Sequence, residues 1–368
     1  MRTDVGTKPA AACRKHPMIR YPFETPPPAG QAITVAPGVL WLRLPLPMAL
    51  DHVNVYALDD GDSWTIIDTG FNTSKTRGQW QDLMAGPLAG KPVARVVVTH
   101  HHPDHVGLAG WFVEQGAELL IPRTAYFMSR MLVLDEQETL PDRTLAFYRR
   151  AGMSDEQLTK RQAERPFNFA DCVYPLPLGF TRLQEGGTLR MGGRTWDIRM
   201  GNGHAPEHAT FWSRDDNLVI GGDQILPSIS PNIGVYVTEP EADPVGEWLE
   251  ACERLSLFAR EDQLVLGGHK LPFNGLPTRM RQLIENHHGA LNRLMDHLDQ
   301  PRTAGECFPP LFKRTIDEGT YGLALVEALA HLNHLHQTGR ARRWLGDDGA
   351  YLWQAVLVCP HRVVRFDC

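Results

Sequence analysis

Residues 99–107 read Thr-His-His-His-Pro-Asp-His-Val-Gly, and this stretch decides the fold and the chemistry that the sequence predicts. It closes a run of mostly β-branched residues, 93–99, which is typical of a buried strand. Four side chains that can bind a metal follow the end of that strand: His100, His102, Asp104 and His105. Imidazole and carboxylate are ligands of zinc and its neighbours. The stretch therefore predicts a metal site rather than a solvated histidine-rich loop.

The spacing within this stretch has room for two metal ions. In an extended loop, residues two apart point the same way, so His100 and His102 can share one ion. Asp104 and His105 are then free to face a second ion beside it. His101 alternates away from its neighbours, and we expect it to face outward or to lie behind the ligands.

The composition indicates a soluble protein that is long enough for one catalytic domain and a small appended domain. The chain has 368 residues, of which 22% are charged and 42% hydrophobic, and its formal net charge is -6. That charge gives no general attraction to nucleic acid or to an anionic membrane surface, and no apolar run approaches membrane-spanning length. The six cysteines are scattered without a Cys-x-x-Cys pair, which predicts reduced thiols and a cytoplasmic protein.

The order of predicted elements indicates an α/β fold. Antiparallel strands come first, and strands and helices then alternate. The predicted strands are 39–46, 53–58, 64–68, 93–99, 118–121, 180–183, 188–191, 195–200, 217–220 and 263–266. The predicted helices among them are 72–88, 108–115 and 243–258. Residues 124–164 interrupt this order with helical character, and we expect their apolar side chains to pack the helices onto the body. The alternative is a helical cap over the metal site that shapes the substrate pocket.

Three later predicted strands end in glycine and then in a side chain that can bind a metal, namely His204, Asp223 and His269. Glycine allows the backbone to turn sharply and to approach a site closely. His208 could lie beside the ligands or the substrate, or it could lie on the surface. Residues 228–233 could line the pocket, or they could be a plain connector. The other histidines are expected to be ordinary surface or helix residues: His16, His52, His287, His288, His297, His331, His334, His336 and His361.

The two ends of the chain differ from its centre. Residues 1–30 are rich in proline and alanine and predict a flexible lead-in. Helices at 278–298 and 321–337, followed by a hairpin at 340–345 and 351–357, predict a winged-helix module. We expect this module to serve packing or dimerisation. The alternative is nucleic-acid contact through a basic patch made of Lys313, Arg314, Arg340, Arg342 and Arg343.

The ordered set His100-x-His102-x-Asp104-His105, His204, Asp223 and His269 resembles the metallo-β-lactamase superfamily of zinc hydrolases. The resemblance covers about residues 33–275, and Asp68 in Ile-Ile-Asp-Thr-Gly matches another recurring element. The tail resembles the winged-helix tail of a β-lactamase-like subgroup. The resemblance implies a four-layer αββα sandwich at 31–277, with 124–164 as a helical cap insert, and a small winged-helix-like domain at 278–368.

The same resemblance implies two divalent metal ions per chain. Zinc is the expected metal, and iron and manganese are the alternatives. His100, His102 and His204 would hold the first ion. Asp104, His105 and His269 would hold the second, and Asp223 would bridge the two. Seven ligands exceed what one tetrahedral zinc can use. A water between two cations loses its proton near neutral pH, and Asp104 can orient the resulting hydroxide. Asp68, Thr99 and His208 are expected behind the ligands.

In having an aspartate at position 223, the chain resembles the thioester, lactone and phosphodiester hydrolases of the superfamily. Many lactam-cleaving members place cysteine there. We therefore predict a hydrolase with a glyoxalase II-like dinuclear site that acts on a small ester or thioester. The main alternative is a single-strand-specific endoribonuclease or phosphodiesterase that holds nucleic acid on the winged helix. Sulfur dioxygenases with a single iron, and a non-catalytic protein with a structural metal, are further alternatives.

Overall fold

The computed structural model describes residues 18–356, which form fourteen strands and ten helices. The strands are β1 (Ile33–Ala36), β2 (Val39–Pro45), β3 (His52–Asp59), β4 (Trp64–Ile67), β5 (Val93–Val97), β6 (Glu118–Pro122), β7 (Thr181–Leu183), β8 (Thr188–Met191), β9 (Arg194–Gly201), β10 (His208–Ser213), β11 (Leu218–Gly222), β12 (Leu264–Gly267), β13 (Ala341–Leu345) and β14 (Tyr351–Ala355). The helices are α1 (Ser74–Ala85), α2 (Pro103–Val106), α3 (Ala109–Glu114), α4 (Arg123–Leu134), α5 (Asp142–Arg150), α6 (Asp155–Ala163), α7 (Pro244–Ser256), α8 (Leu276–His297), α9 (Phe308–Leu311) and α10 (Glu318–Gln337).

Two sheets carry the site. The first has the order β1 to β7, antiparallel as far as β4 and parallel from β4 onward. The second has the order β12-β11-β10-β9-β8, and β11 and β12 are its parallel pair. Because parallel strands end at the same edge of a sheet, the loops that follow β4 and β5, and those that follow β11 and β12, emerge side by side.

Side chains that alternate along the strands build the layers. On β5 and just beyond it, Val96 and Val98 face an outer core with Trp80 of α1, whereas Val97 faces the core between the two sheets. Phe211 of the second sheet meets Val97 in that inner core. The opposite face of the second sheet packs against α7 and α8. The result is the predicted four-layer αββα sandwich, with a C-terminal unit added.

The C-terminal unit and the inserted helices share one core with the outer face of the second sheet. Val265 of β12, Trp248 of α7 and Leu329 of α10 are buried in the same cluster as Leu158 of α6. The expected packing of the insert onto the body is therefore present. The predicted domain boundary at 277–278 falls in the first turn of α8, and the domain ranges remain a prediction.

Some details differ from the sequence-based expectations. No strand was predicted at β10. The structure has a strand there that begins at His208, which therefore does not lie within a loop. The stretch 99–107 is extended only in its first half, because α2 begins at Pro103. The predicted strand 351–357 ends at Ala355, and residue 357 lies outside the described residues.

Other predictions fall partly or wholly on residues that the structure does not describe. Residues 1–17 of the predicted lead-in, with His16 and Cys13, lie outside the described range, as do His361, Cys359 and Cys368. Within the range, the backbone of Arg20 pairs with that of Asn274. Cys172, Cys252 and Cys307 are free thiols. Among residues 18–356, the longest helices are too short or too polar to cross a membrane.

Candidate metal centre

The seven predicted ligands arrive from strand ends at one edge of the sandwich. His100 and His102 follow β5, and Asp104 and His105 lie in α2, which continues the same loop. The other three come from loops after β9, β11 and β12: His204, Asp223 and His269. Their donor atoms form three groups, each within 4.8 Å: His100, His102 and His204; His100, His105 and Asp223; and Asp104, His105 and His269.

Asp223 lies between two sets of candidate ligands. The first set is His100, His102 and His204, and the second is Asp104, His105 and His269. Its Oδ2 atom is 3.6 Å from Nε2 of His204, a member of the first set. The same oxygen is 3.3 Å from Nε2 of His269 and 3.5 Å from Nε2 of His105, which belong to the second. Asp104 completes the second set, since its Oδ2 is 3.3 Å from Nε2 of His269. One carboxylate oxygen therefore faces both sets of donors.

These distances and the unpaired atoms fit metal ions. Three buried atoms of the candidate ligands lack a hydrogen-bond partner: Nε2 of His105, Nε2 of His204 and Oδ1 of Asp223. Leaving such an atom unpaired costs about 1–3 kcal/mol. Separations of 3.3–3.6 Å exceed a normal N–H···O hydrogen bond but match donors that each lie about 2.0–2.1 Å from a shared zinc ion. The donor set, five imidazoles and two carboxylates, suits two divalent ions.

Burial and charge divide the site into two halves. Burial, reinforced by neighbouring imidazoles, lowers the pKa of His100 and His102 well below the usual 6.5. Burial also opposes the charge on His269, but the Asp223 and Asp104 carboxylates outweigh it and raise the pKa of His269 to about 10. The pKa of Asp223 stays well below its ordinary value despite burial, because the imidazoles of His269 and His105 stabilise the carboxylate. The pKa is therefore lowered for His100 and His102 and raised for His269, which lies beside the two carboxylates.

Asp68 holds the ligand loop from behind. Its Oδ2 accepts a hydrogen bond from Nδ1 of His105 at 2.8 Å, and its Oδ1 accepts the backbone N–H of Thr99 at 2.8 Å. The Thr99 hydroxyl donates to Asp68 and lies 3.0 Å from Nδ1 of His100. Asp68 has a φ of 60°, a strained backbone that persists only where its surroundings fix it. The carboxylate leaves Nε2 of His105 free to face a metal.

We expect Asp68→Asn to weaken metal binding by about 10- to 100-fold. The amide can place its N–H against Nδ1 of His105, which would move the imidazole proton to Nε2 and turn a ligand atom into a donor. Zinc titration of the metal-stripped protein against a competing chelator measures the change. Asp62→Asn, an exposed aspartate near β4, is the control. Equal zinc affinity in both variants would show that Asp68 does not set the orientation of His105.

Three further histidines lie around the site, of which His208 was expected behind the ligands and His52 was not. Nε2 of His208 accepts the backbone N–H of Asp223 at 3.0 Å, and its ring stacks on His100. His52 was expected to be ordinary, but it is buried on β3 and its carbonyl accepts Nδ1 of His269 at 2.7 Å. His101 does not face outward: it is 7% exposed, and its ring lies parallel to Phe169.

Strand β3 also fixes the loop that carries His269. The Asn54 amide donates to the carbonyls of Gly267 and Lys270, at 3.0 and 2.7 Å. The Tyr56 hydroxyl donates to the Gly267 carbonyl at 2.8 Å. Lys270 has a φ of 67°, which gives the loop a sharp turn just after the ligand. The first sheet therefore positions a ligand that the second sheet supplies.

The residue that supports His204 was not predicted as a site residue. Nδ1 of His204 lies 2.7 Å from the backbone carbonyl of Asn232, within the segment 228–233. This contact favours a structural role in the site for that segment over a plain connector. The insert also reaches the ligand loops, because the backbone N–H of Thr124 donates to Glu207 at 2.6 Å.

Most of the predicted basic patch of the tail is engaged with the chain itself. Nη2 of Arg343 donates to both carboxylate oxygens of Glu241, at 2.9 and 3.1 Å. Arg342 bonds the side chain of Gln354, and Arg340 bonds that of Asn292. Arg343 and Arg340 thus contact residues outside the hairpin, whereas Arg342 pairs across its two strands.

Comparison with known proteins assigns families to both parts of the chain. Residues 48–284 match the family described as the metallo-beta-lactamase superfamily, and residues 291–356 match the metallo-beta-lactamase-like C-terminal domain. A probable metallo-hydrolase of Bacillus subtilis is 25% identical over 313 residues, which cover 81% of this chain and 92% of that protein.

Two solved structures resemble the chain over most of its length. A beta-lactamase domain protein from Burkholderia ambifaria has a TM-score of 0.85 and 37% identity, covering 92% of this chain and 98% of that one. A metallo-beta-lactamase family protein from Thermus thermophilus has a TM-score of 0.74 and 27% identity. The match covers 88% of this chain and 100% of that one. Both matches extend beyond the sandwich into the C-terminal unit.

Proposed function

The chain belongs to the metallo-beta-lactamase superfamily, and from that premise we propose that it is a dinuclear zinc hydrolase acting on a small ester or thioester. The observation that carries the proposal is the position of Asp223. One of its oxygens lies near Nε2 of both His204 and His269, a position from which the carboxylate could contact two ions. This aspartate also favours ester or thioester hydrolysis over lactam cleavage, as the sequence resemblance implies.

The chemistry of the site calls for water as the nucleophile. Two divalent ions in this site would polarise the substrate carbonyl and lower the pKa of a bound water. The chain's own contribution is to orient that water. The side chain of Asp104 is 17% exposed, against 8% for Asp223. Asp104 would therefore accept a hydrogen bond from the attacking water. Burial raises the pKa of the nearby Cys172 thiol to about 12, which makes it a poor nucleophile.

Charge supports a small substrate over a polyanion. The net charge is -6, and Arg340, Arg342 and Arg343 are occupied by contacts within the chain. A nucleic-acid substrate would require a continuous basic surface and would bind with a steep dependence on salt. A small ester or thioester requires neither.

The test combines metal analysis with a substrate panel. We expect close to two zinc ions per chain, and turnover of a thioester or ester that a chelator abolishes and added zinc restores. Lactones, phosphodiesters and single-stranded RNA are assayed beside it. One tightly held ion per chain would overturn the dinuclear site. Cleavage of RNA alone, with strong salt dependence, would replace the proposed substrate class with the nuclease alternative.

A further inference from the structure

The segment between β11 and α7 runs along helix α10 of the C-terminal unit. The backbone N–H of Val235 donates to the carbonyl of Val326 at 3.1 Å. Farther along, the Asn333 amide donates to the carbonyls of Pro240 and Ala242, both at 3.0 Å. The helix therefore determines where this segment lies over the edge of the sandwich.

The same segment supports a metal ligand at its start. Asn232 accepts a hydrogen bond from Nδ1 of His204 on its backbone carbonyl, at 2.7 Å. Its side-chain amide donates to Oε2 of Glu327 on α10 at 2.7 Å, and also to the carbonyl of Leu323 at 3.3 Å. A chain of two hydrogen bonds thus joins helix α10 to His204.

This support differs from that of the other ligands. Within residues 18–356, three further candidate imidazoles have a partner on the nitrogen that faces away from the metal position: His100 has Thr99, His105 has Asp68 and His269 has His52. All three partners lie in the first half of the sandwich. The partner of His204 alone is held by a side chain of the C-terminal unit.

We propose that the C-terminal unit completes the metal centre, with Glu327 as a positioning residue that acts through Asn232 on His204. The inference rests on the proposed metal centre and gives the tail a role beyond packing. A backbone carbonyl that accepts from Nδ1 holds the ring proton on that nitrogen and fixes the ring orientation, so that Nε2 faces the metal position. If Asn232 moves, the carbonyl loses its alignment and His204 gains rotational freedom. Both effects weaken binding at the first ion position.

The proposal distinguishes two variants at one position. Glu327→Ala removes the acceptor for the Asn232 amide, whereas Glu327→Gln keeps an acceptor oxygen in nearly the same place. We expect Glu327→Ala to weaken the affinity for one of two zinc ions by about 10- to 100-fold and Glu327→Gln by less than about threefold. Asn232→Ala should match Glu327→Ala, and combining the two should add no further loss, since they break the same link.

Asn333→Ala is the matched control. It removes two hydrogen bonds between α10 and the same segment without touching the link to His204. We expect this variant to lower the melting temperature of the metal-stripped protein and to leave both zinc affinities unchanged. Comparable loss of zinc affinity in Asn333→Ala and Glu327→Ala would overturn the proposal, because it would assign the effect to general docking of the helix.

The measurement is a zinc titration of the metal-stripped full chain against a competing chelator, with circular dichroism to verify that each variant is folded. Unchanged zinc affinity in both Glu327→Ala and Asn232→Ala would overturn the positioning role. A wild-type chain that binds two ions in that case would leave the proposed function intact. A wild-type chain that binds fewer than two would instead refute the dinuclear site on which the inference rests.

Discussion

Asp223→Asn is expected to lower turnover by about 10³-fold and to release at least one of the two metal ions. Metal ions supply several kcal/mol of stabilisation to developing charge, and each 1.36 kcal/mol is a factor of ten in rate. The amide keeps the shape of the carboxylate but carries no charge. The neutral amide oxygen is a much weaker metal ligand than a carboxylate oxygen, and the amide nitrogen has no lone pair to offer, so the contacts that Asp223 can make near His204 and His269 are weakened.

Metal content and activity should fall together in this variant. Both are measured on the purified protein, by elemental analysis and by the rate with the best ester or thioester of the panel. Asp262→Asn, at an exposed position before β12, is the control and should match the wild type. An Asp223→Asn protein with two tightly held ions and near-normal turnover would contradict the bridging role.

The candidate ligands could be located from the sequence because their chemistry resides in side chains and their spacing is regular. His204, Asp223 and His269 each follow a predicted strand and a glycine, so each was expected just after the end of a strand. The structure adds the pairing of β11 with β12, which places Gly222 beside Gly267 and brings the two ligand loops together. Ligand types and strand ends were therefore predictable, whereas their mutual distances depend on how the sheets associate.

The supports behind the ligands were only partly predictable. Asp68 and Thr99 act through side chains, and both were expected behind the ligand loop. Asn232 and His52 act through backbone carbonyls. Every residue carries a carbonyl, so no residue type marks such a support, and only the folded chain shows which carbonyl faces a ligand.

Two details were not predicted from the local pattern. Strand alternation predicted that His101 faces outward or lies behind the ligands, because alternation gives only the direction away from the metal position. The 3₁₀ turn that contains Phe169 covers that side, so the ring is buried. Strand β10 was overlooked because the glycines and proline before His208 suggested that the loop continued, although Thr210, Phe211 and Trp212 favour a strand. Distant packing therefore decides the burial of His101, whereas β10 follows a local signal in its own residues.

Gly268→Ala is expected to disrupt the metal centre without removing a ligand. A Cβ atom at this position would lie 2.2 Å from Oδ1 of Asp223 and 2.8 Å from Cε1 of His105. The backbone cannot easily yield, because the Gly268 N–H donates to Gly222 at 2.9 Å and its carbonyl accepts from Asn54 at 2.7 Å. Asp223 must therefore rotate away from its position between the two sets of candidate ligands.

We expect this single methyl group to lower turnover by about 100-fold, as a displacement of about 1 Å at a reacting centre does, and to destabilise the fold by about 1–3 kcal/mol. Gly179→Ala, where a Cβ atom meets nothing within 4 Å, should leave both quantities unchanged. Turnover, zinc content and the free energy of unfolding in urea are compared for the two variants. Gly268→Ala can lose stability but keep its zinc and its turnover only if the loop shifts and Asp223 does not. In that case the position of Asp223 does not depend on the close approach of this glycine. A loss of zinc and turnover in a folded protein would show that a backbone without a side chain at Gly268 is part of what holds the carboxylate between the two ions.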